Sequence, residues 1–208
     1  MDNQVIVIDK LSEDLNFTVK ESEKKTFVIF LTGEGDQSGK VLITIKGSNA
    51  DVKILGMIIG QDSQKINLFT LQDHKSPASV SDLFIKSVLF GSSRFFYEGL
   101  IKIAPKAAKS NAYQKNQNLL LGATAWADSR PKLEILANDV RCTHGATIGK
   151  INQEILYYLK TRGISEKKSE TLVIEGFFRE VLDRIPDKNI RELLSKEIIL
   201  KINKNLLN

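Results

Sequence analysis

Cys142 and His144 stand two residues apart in Asp139-Val140-Arg141-Cys142-Thr143-His144-Gly145-Ala146-Thr147. In an extended segment that spacing points both side chains to one face. A thiolate and an imidazole side by side can both ligate iron or zinc. They can also act as an activated thiol and its base. Two ligands do not complete a tetrahedral site. Cys142 is the sole cysteine, and the other histidine, His74, is distant in sequence. A metal held here must therefore borrow ligands from another chain. The alternative is a buried thiol packed as a small hydrophobe beside a hydrogen-bonded histidine, and spacing alone favours it.

Other chemistry is sparse. There is no GxxxxGK[ST] segment, so the chain should not hydrolyse ATP itself, and there is no GxSxG, HExxH or CxxC. We expect a protein that is not an enzyme. His74, in Asp73-His74-Lys75-Ser76-Pro77, reads as a structural or exposed histidine in a loop before a strand. Glu98 and Glu134 sit in strand-like runs, but a glycosidase pair is defined by its separation, which sequence does not give. Phe177 and Phe178 read first as packing between elements, and second as a face that docks a partner.

The elements that must position these residues change character near residue 150. Before it run short β-type stretches: 5–8, 26–32, 41–45, 52–59, 66–71, 83–90, 95–103 and 133–136. Turn residues such as Gly33-Glu34-Gly35-Asp36, Gly47-Ser48-Asn49 and Gly60-Gln61-Asp62 separate them. Regular strands without intervening helices exclude a doubly wound α/β fold and leave a sandwich, a barrel or a solenoid. After residue 150 the period becomes helical. Gly163 breaks a first helix and Ser165 is placed to cap a second. The second carries Ile174, Phe177, Phe178, Val181, Leu182 and Ile185 and stops at Pro186; Asp187 can cap a third. We therefore expect a β core domain over 1–149 and a helical region over 150–208, packed together.

Composition agrees with an ordinary globular protein: 208 residues, 42% hydrophobic and 26% charged, net charge +5. Lysines are mixed with Glu and Asp rather than clustered with aromatics, so no nucleic-acid partner is expected. No apolar run is long enough to span a bilayer. The start, Met1-Asp2-Asn3-Gln4, carries no export signal, and one cysteine suits a reducing compartment. The expected location is the cytoplasm, with no membrane association.

The stretch from Asn118-Leu119-Leu120-Leu121 through Arg130-Pro131-Lys132-Leu133-Glu134-Ile135 resembles the late β-region of the SufB/SufD family of iron–sulfur cluster assembly proteins. Asn138 through Thr147 resembles that family's most distinctive segment. Tyr157-Tyr158-Leu159, Arg162-Gly163-Ile164-Ser165 and Gly176-Phe177-Phe178 follow in the family's order, and Asp73-His74 and Tyr97-Glu98-Gly99 fit upstream. The likeness is specific from about residue 65 to 186 and loose before. SufB-type chains carry a functional cysteine where Asn116 stands here, whereas SufD-type chains carry the Cys-x-His pair. The chain is thus SufD-like.

The resemblance implies a mainly β fold, a right-handed parallel β-helix with a C-terminal α-helical region. It implies a scaffold that pairs with a SufB-like subunit, or a second copy of itself, and is bound to a SufC ATPase. Cys142 and His144 would then be interface ligands for transient iron or a nascent cluster, with ATP entering only through the partner. Arg162, Gly163 and Ile164, with Phe177 and Phe178, would form the region that docks the ATPase. Family members usually have an N-terminal helical domain; this sequence begins almost directly in strands, so that domain is expected to be missing from it. Two other readings stand beside this one: a purely structural partner whose Cys142 and His144 are packing residues, and a β-solenoid carbohydrate-active enzyme.

Overall fold

The computed structural model describes residues 4–11 and 13–207. Residues 1–3, part of the start read above as free of an export signal, lie outside them. Eleven strands come first: β1 (Gln4–Ile8), β2 (Asp14–Val19), β3 (Lys24–Leu31), β4 (Gln37–Ile45), β5 (Asp51–Gly60), β6 (Lys65–His74), β7 (Val80–Leu89), β8 (Arg94–Ile103), β9 (Asn111–Leu120), β10 (Trp126–Ile135) and β11 (Arg141–Lys150). Three helices follow: α1 (Gln153–Thr161), α2 (Glu166–Leu182) and α3 (Lys188–Leu207).

Odd strands form one parallel sheet, in the order β1-β3-β5-β7-β9-β11. Even strands form the other, β10-β8-β6-β4-β2. The chain alternates between them and climbs one rung each time. The result is a β-solenoid of about five turns, with three C-terminal helices. Of the three β architectures the sequence leaves open, this is the one adopted.

Strand side chains alternate between the lumen and the outside. In the early turns the lumen is apolar: Phe27, Ile29, Val41, Ile43, Ile54, Ile58, Leu68 and Leu83 belong to one buried cluster. The outer face of the odd sheet is apolar as well. There Val28, Phe30, Leu55, Met57, Phe84 and Val88 pack against Ile174, Phe178, Val181, Leu194, Ile198 and Ile202 of α2 and α3. Burial on both faces explains why runs such as Phe27-Val28-Ile29-Phe30-Leu31 are continuously apolar rather than alternating. At about 25 cal/mol per Å² of apolar area, this second cluster fastens the helices firmly to the solenoid.

The helix boundaries follow the signals in the sequence except at the end of α2, which stops at Leu182 rather than at Pro186: the Arg184 and Ile185 N–H groups turn back to the carbonyls of Val181 and Leu182, so Ile185 packs from beyond the helix. Gly163 takes φ 80° after α1, where its N–H and that of Ile164 return to the carbonyls of Lys160 and Leu159. Ser165 occupies the N-cap of α2 without a side-chain capping bond. Asp187 caps α3 by accepting from the Ile190 N–H at 2.9 Å. No helix among the described residues is long and apolar enough to cross a membrane.

Candidate functional site

Strand β11 is the last rung of the odd sheet, and β10 is the last of the even sheet. The ladder pairs Cys142 with Ala112 and His144 with Gln114. Ala112 and Gln114 are buried in the lumen, so Cys142 and His144 both stand on the lumen side of β11. The spacing of two does bring them to one face, with Cα atoms about 7 Å apart.

The two side chains differ in surroundings. Cys142 is half-buried and packs with Val140 against Ile101, Ile103, Ala107, Ala112 and Ala137. Burial pushes its thiol pKa up, an effect partly offset by the backbone N–H of Ala112. His144 is exposed, and no hydrogen bond to its ring is formed among the described residues. Among these residues no group of three or more His, Cys, Asp or Glu is arranged to hold a metal ion. The donors fit iron or zinc in kind but not in number.

Among the described residues no further rung covers this end. Leu133 and Ile135 share the lumen-facing positions of Ile101 and Ile103, yet are 38% and 41% exposed; Ile148, in line with buried Asn118 on the rung before, is 47% exposed. The core of the solenoid is therefore laid open where Cys142 and His144 stand.

The lumen also changes chemistry toward this end. Gln72, His74, Gln114, Asn116 and Asn118 are all buried. Gln72 donates to Gln114 (3.4 Å), which donates to the Gly99 carbonyl (3.2 Å), while among the described residues the Gln72 Oε1 lacks a partner. These amides escape a reading by composition. The signal was their spacing of two at 114, 116 and 118, which marks one face of a strand.

His74 is not in a loop. It ends β6, faces the lumen, and bonds Ser79 and Ser81 hydroxyls at 2.7 Å through its two ring nitrogens. Its role is structural. Glu98 and Glu134 lie on the outer face of the even sheet, paired with Lys132 (2.9 Å) and Lys102 (2.6 Å) on neighbouring rungs. Near Glu98 an outer hollow of about 410 Å³ includes Asp14, Lys40, Phe69 and Phe96, and its Lys40 and Asp14 are likewise paired, at 3.0 Å. Each of these carboxylates thus faces a lysine of a neighbouring strand.

The residues considered for docking do not share one surface. Arg162 caps α1 with its guanidinium 5.2 Å from the Tyr158 ring centre, beside Gly163 and half-buried Ile164. Phe177 is partly buried under Lys86. Phe178 is fully enclosed in the cluster between helices and sheet. Its ring packs inside the protein and is not a contact surface as the helices stand. Exposed apolar side chains lie instead on α1, at Ile155, Tyr157 and Tyr158, and on α3, at Leu193 and Leu200.

Comparison with known proteins adds a family likeness. Residues 13–177 match the model of the SUF system FeS cluster assembly, SufBD core domain. The chain is 28% identical over 177 residues to the iron–sulfur cluster assembly protein SufD of Escherichia coli, covering 85% of this chain and 41% of that protein. It is 29% identical over 179 residues to SufD of Bacillus subtilis, covering 86% and 41%. An iron–sulfur cluster assembly SufBD family protein of Mycobacterium leprae is 32% identical over 160 residues, 73% of this chain and 41% of that one. The chain spans about two fifths of the length of the relatives it matches.

Proposed function

The chain belongs to the SufB/SufD family of SUF-system iron–sulfur cluster assembly proteins and is SufD-like within it, and from that premise we propose that it is a non-enzymatic scaffold subunit whose open solenoid end meets a SufB-like subunit. Iron and the growing cluster are its cargo. The observation that carries this reading is the coincidence of three features at one end: the Cys142/His144 pair, two unpaired strand edges, and lumen residues left uncovered.

The chemistry follows from the two side chains. His144, exposed and unbonded, is the donor an arriving ion reaches first. Cys142 keeps its proton at neutral pH because its pocket disfavours the thiolate. It becomes a ligand by losing that proton as the metal binds. The remaining ligands come from the facing subunit, and the bared edges of β10 and β11 suit strand-to-strand contact. A SufC ATPase engages the helical side through Arg162, Gly163 and Ile164, and its ATP-driven motion alters access to the open end. That coupling requires ATP to bind the two arrangements with different affinity.

The half-buried environment of Cys142 favours a second reading, in which the thiol is only packing and the subunit contributes architecture. Co-purification with the cognate SufC-like and SufB-like chains, with the mass of each species measured, tests the assembly. Cluster formation in that complex with Cys142→Ala and His144→Ala then separates the readings. Strong loss in either variant supports the ligand role; wild-type rates in both end it.

A further inference from the structure

Strand β11 carries the candidate ligands, yet little apolar burial holds it. None of its ten residues is fully buried, and among the described strands only β9 pairs with it. Beyond that ladder, among the described residues the Cys142 thiol meets the Ala112 backbone, and one side chain of another strand hydrogen-bonds to β11: Asn118 Nδ2 donates to the Thr147 carbonyl at 3.1 Å.

That amide is itself held in place. Asn118 Oδ1 accepts from Ser87 Oγ on β7 at 2.7 Å, and its Nδ2 also donates to Asn116 Oδ1 at 2.7 Å. Asn116 Nδ2 donates in turn to the Ile85 carbonyl at 3.3 Å, and its Oδ1 accepts from Ser129 Oγ on β10. Two buried amides thus tie together β7, β9, β10 and β11. Every polar atom of the pair has a partner, the condition under which a buried network adds rigidity rather than cost. Further along the solenoid the position in line with Asn118 is Ser87 and then Ile58, a residue of the apolar core. The change falls where the core opens to water and apolar burial weakens.

We propose that Asn118, oriented by Asn116 and Ser87, is the positioning residue that fixes β11 and with it the directions of Cys142 and His144. The inference rests on the proposed function for its meaning. Its geometry stands apart from it, and so does its test.

The test is amide hydrogen exchange on the full chain, with Asn118→Leu matching the shape of the amide. Exchange across 141–150 should quicken on the order of tenfold, with β3 and β5 unchanged, and Cys142 should react faster with a disulfide reagent. Unchanged exchange over 141–150, or equal acceleration throughout the solenoid, overturns the proposal. Should Asn118→Leu not fold, Ser87→Ala decides: a smaller rise confined to the same segment supports the tie, and no change there refutes it. Cluster assembly is not the readout. Normal clusters in Cys142→Ala and His144→Ala defeat the proposed function alone, whereas intact protection in Asn118→Leu defeats the tie alone.

Discussion

Lys86 meets Glu180 at the point where helix α2 crosses strand β7. Lys86 is almost wholly enclosed, at 3% exposure. It also donates to the Phe177 carbonyl at 2.8 Å and lies 4.3 Å from the centre of that ring. Burial pushes the Lys86 pKa down and Glu180 pulls it up, with burial the larger effect. The Glu180 carboxyl is held below its usual range by Lys86. Phe177 and Glu180 are three residues apart, so one cation grips a single face of the helix.

Removing that cation should loosen α2. Lys86→Ala deletes the ion pair, the carbonyl bond and a well-packed stem, for an expected loss of about 2 kcal/mol. The value is below that for a fully buried pair because Glu180 is half exposed and is left uncompensated near water. Lys86→Met keeps the volume and should cost about 1 kcal/mol or less. Urea denaturation measures both as shifts of midpoint at constant slope. Equal midpoints for wild type and Lys86→Ala would show that the apolar cluster alone sets the helix.

His74 should make stability depend on pH. Burial depresses its pKa from 6.5 to about 4. The unfolded chain takes up this proton as pH falls through 6.5, while the native lumen refuses it until about 4. Stability from the neutral ring is therefore complete above 6.5 and is lost progressively down to 4, to a total of about 3 kcal/mol. The urea midpoint should fall more steeply over that window in wild type than in His74→Gln. Parallel decline in the two proteins would remove His74 as the cause.

The early turns are legible in the sequence because Ile, Val and Phe fill the lumen and give strands their pattern. Strand β9 is not, because Gln114, Asn116 and Asn118 occupy its buried positions and polar residues there look like a loop. Strand β2 is short and half-exposed, so its apolar face is weak. The Cys142/His144 face is legible from period two alone. What the residues could not convey is that β11 is the last rung, since an edge is a property of the whole stack. Nor does spacing distinguish Phe177, resting on Lys86, from Phe178, sealed in the core; the two are adjacent on one helix and differ only in direction.

The Cys142 thiol should be a slow nucleophile in the free protein. Its pKa is raised by burial, and only the thiolate reacts. Alkylation measured across pH should show a midpoint above that of free cysteine, and at pH 7 the native chain should react about tenfold or more slowly than the urea-unfolded chain. A midpoint below the free value would mean an activated thiol, and the pocket against Ile103 and Ala112 would not govern its chemistry.

The corner between β9 and β10 should tolerate no side chain. Gly122 stacks directly on Gly91, and Gly91 on Asp62, so backbone lies against backbone. A methyl group at Gly122 would stand 1.8 Å from the Gly91 carbonyl oxygen. No rotamer relieves a clash with main chain, and Gly122 is also fixed by its N–H bond to the Leu89 carbonyl at 3.1 Å. Gly122→Ala must therefore lift the last rung, at a cost of about 3 kcal/mol. Strand β10 should lose exchange protection before β6 or β8. Gly145, on β11, is the control, because a methyl group there meets nothing within 4 Å. Replacing it with alanine removes glycine's excess freedom in a strand and should be neutral or stabilising by up to about 1 kcal/mol. Similar losses in Gly122→Ala and Gly145→Ala would mean that close stacking at the corner is not what holds the open end in register.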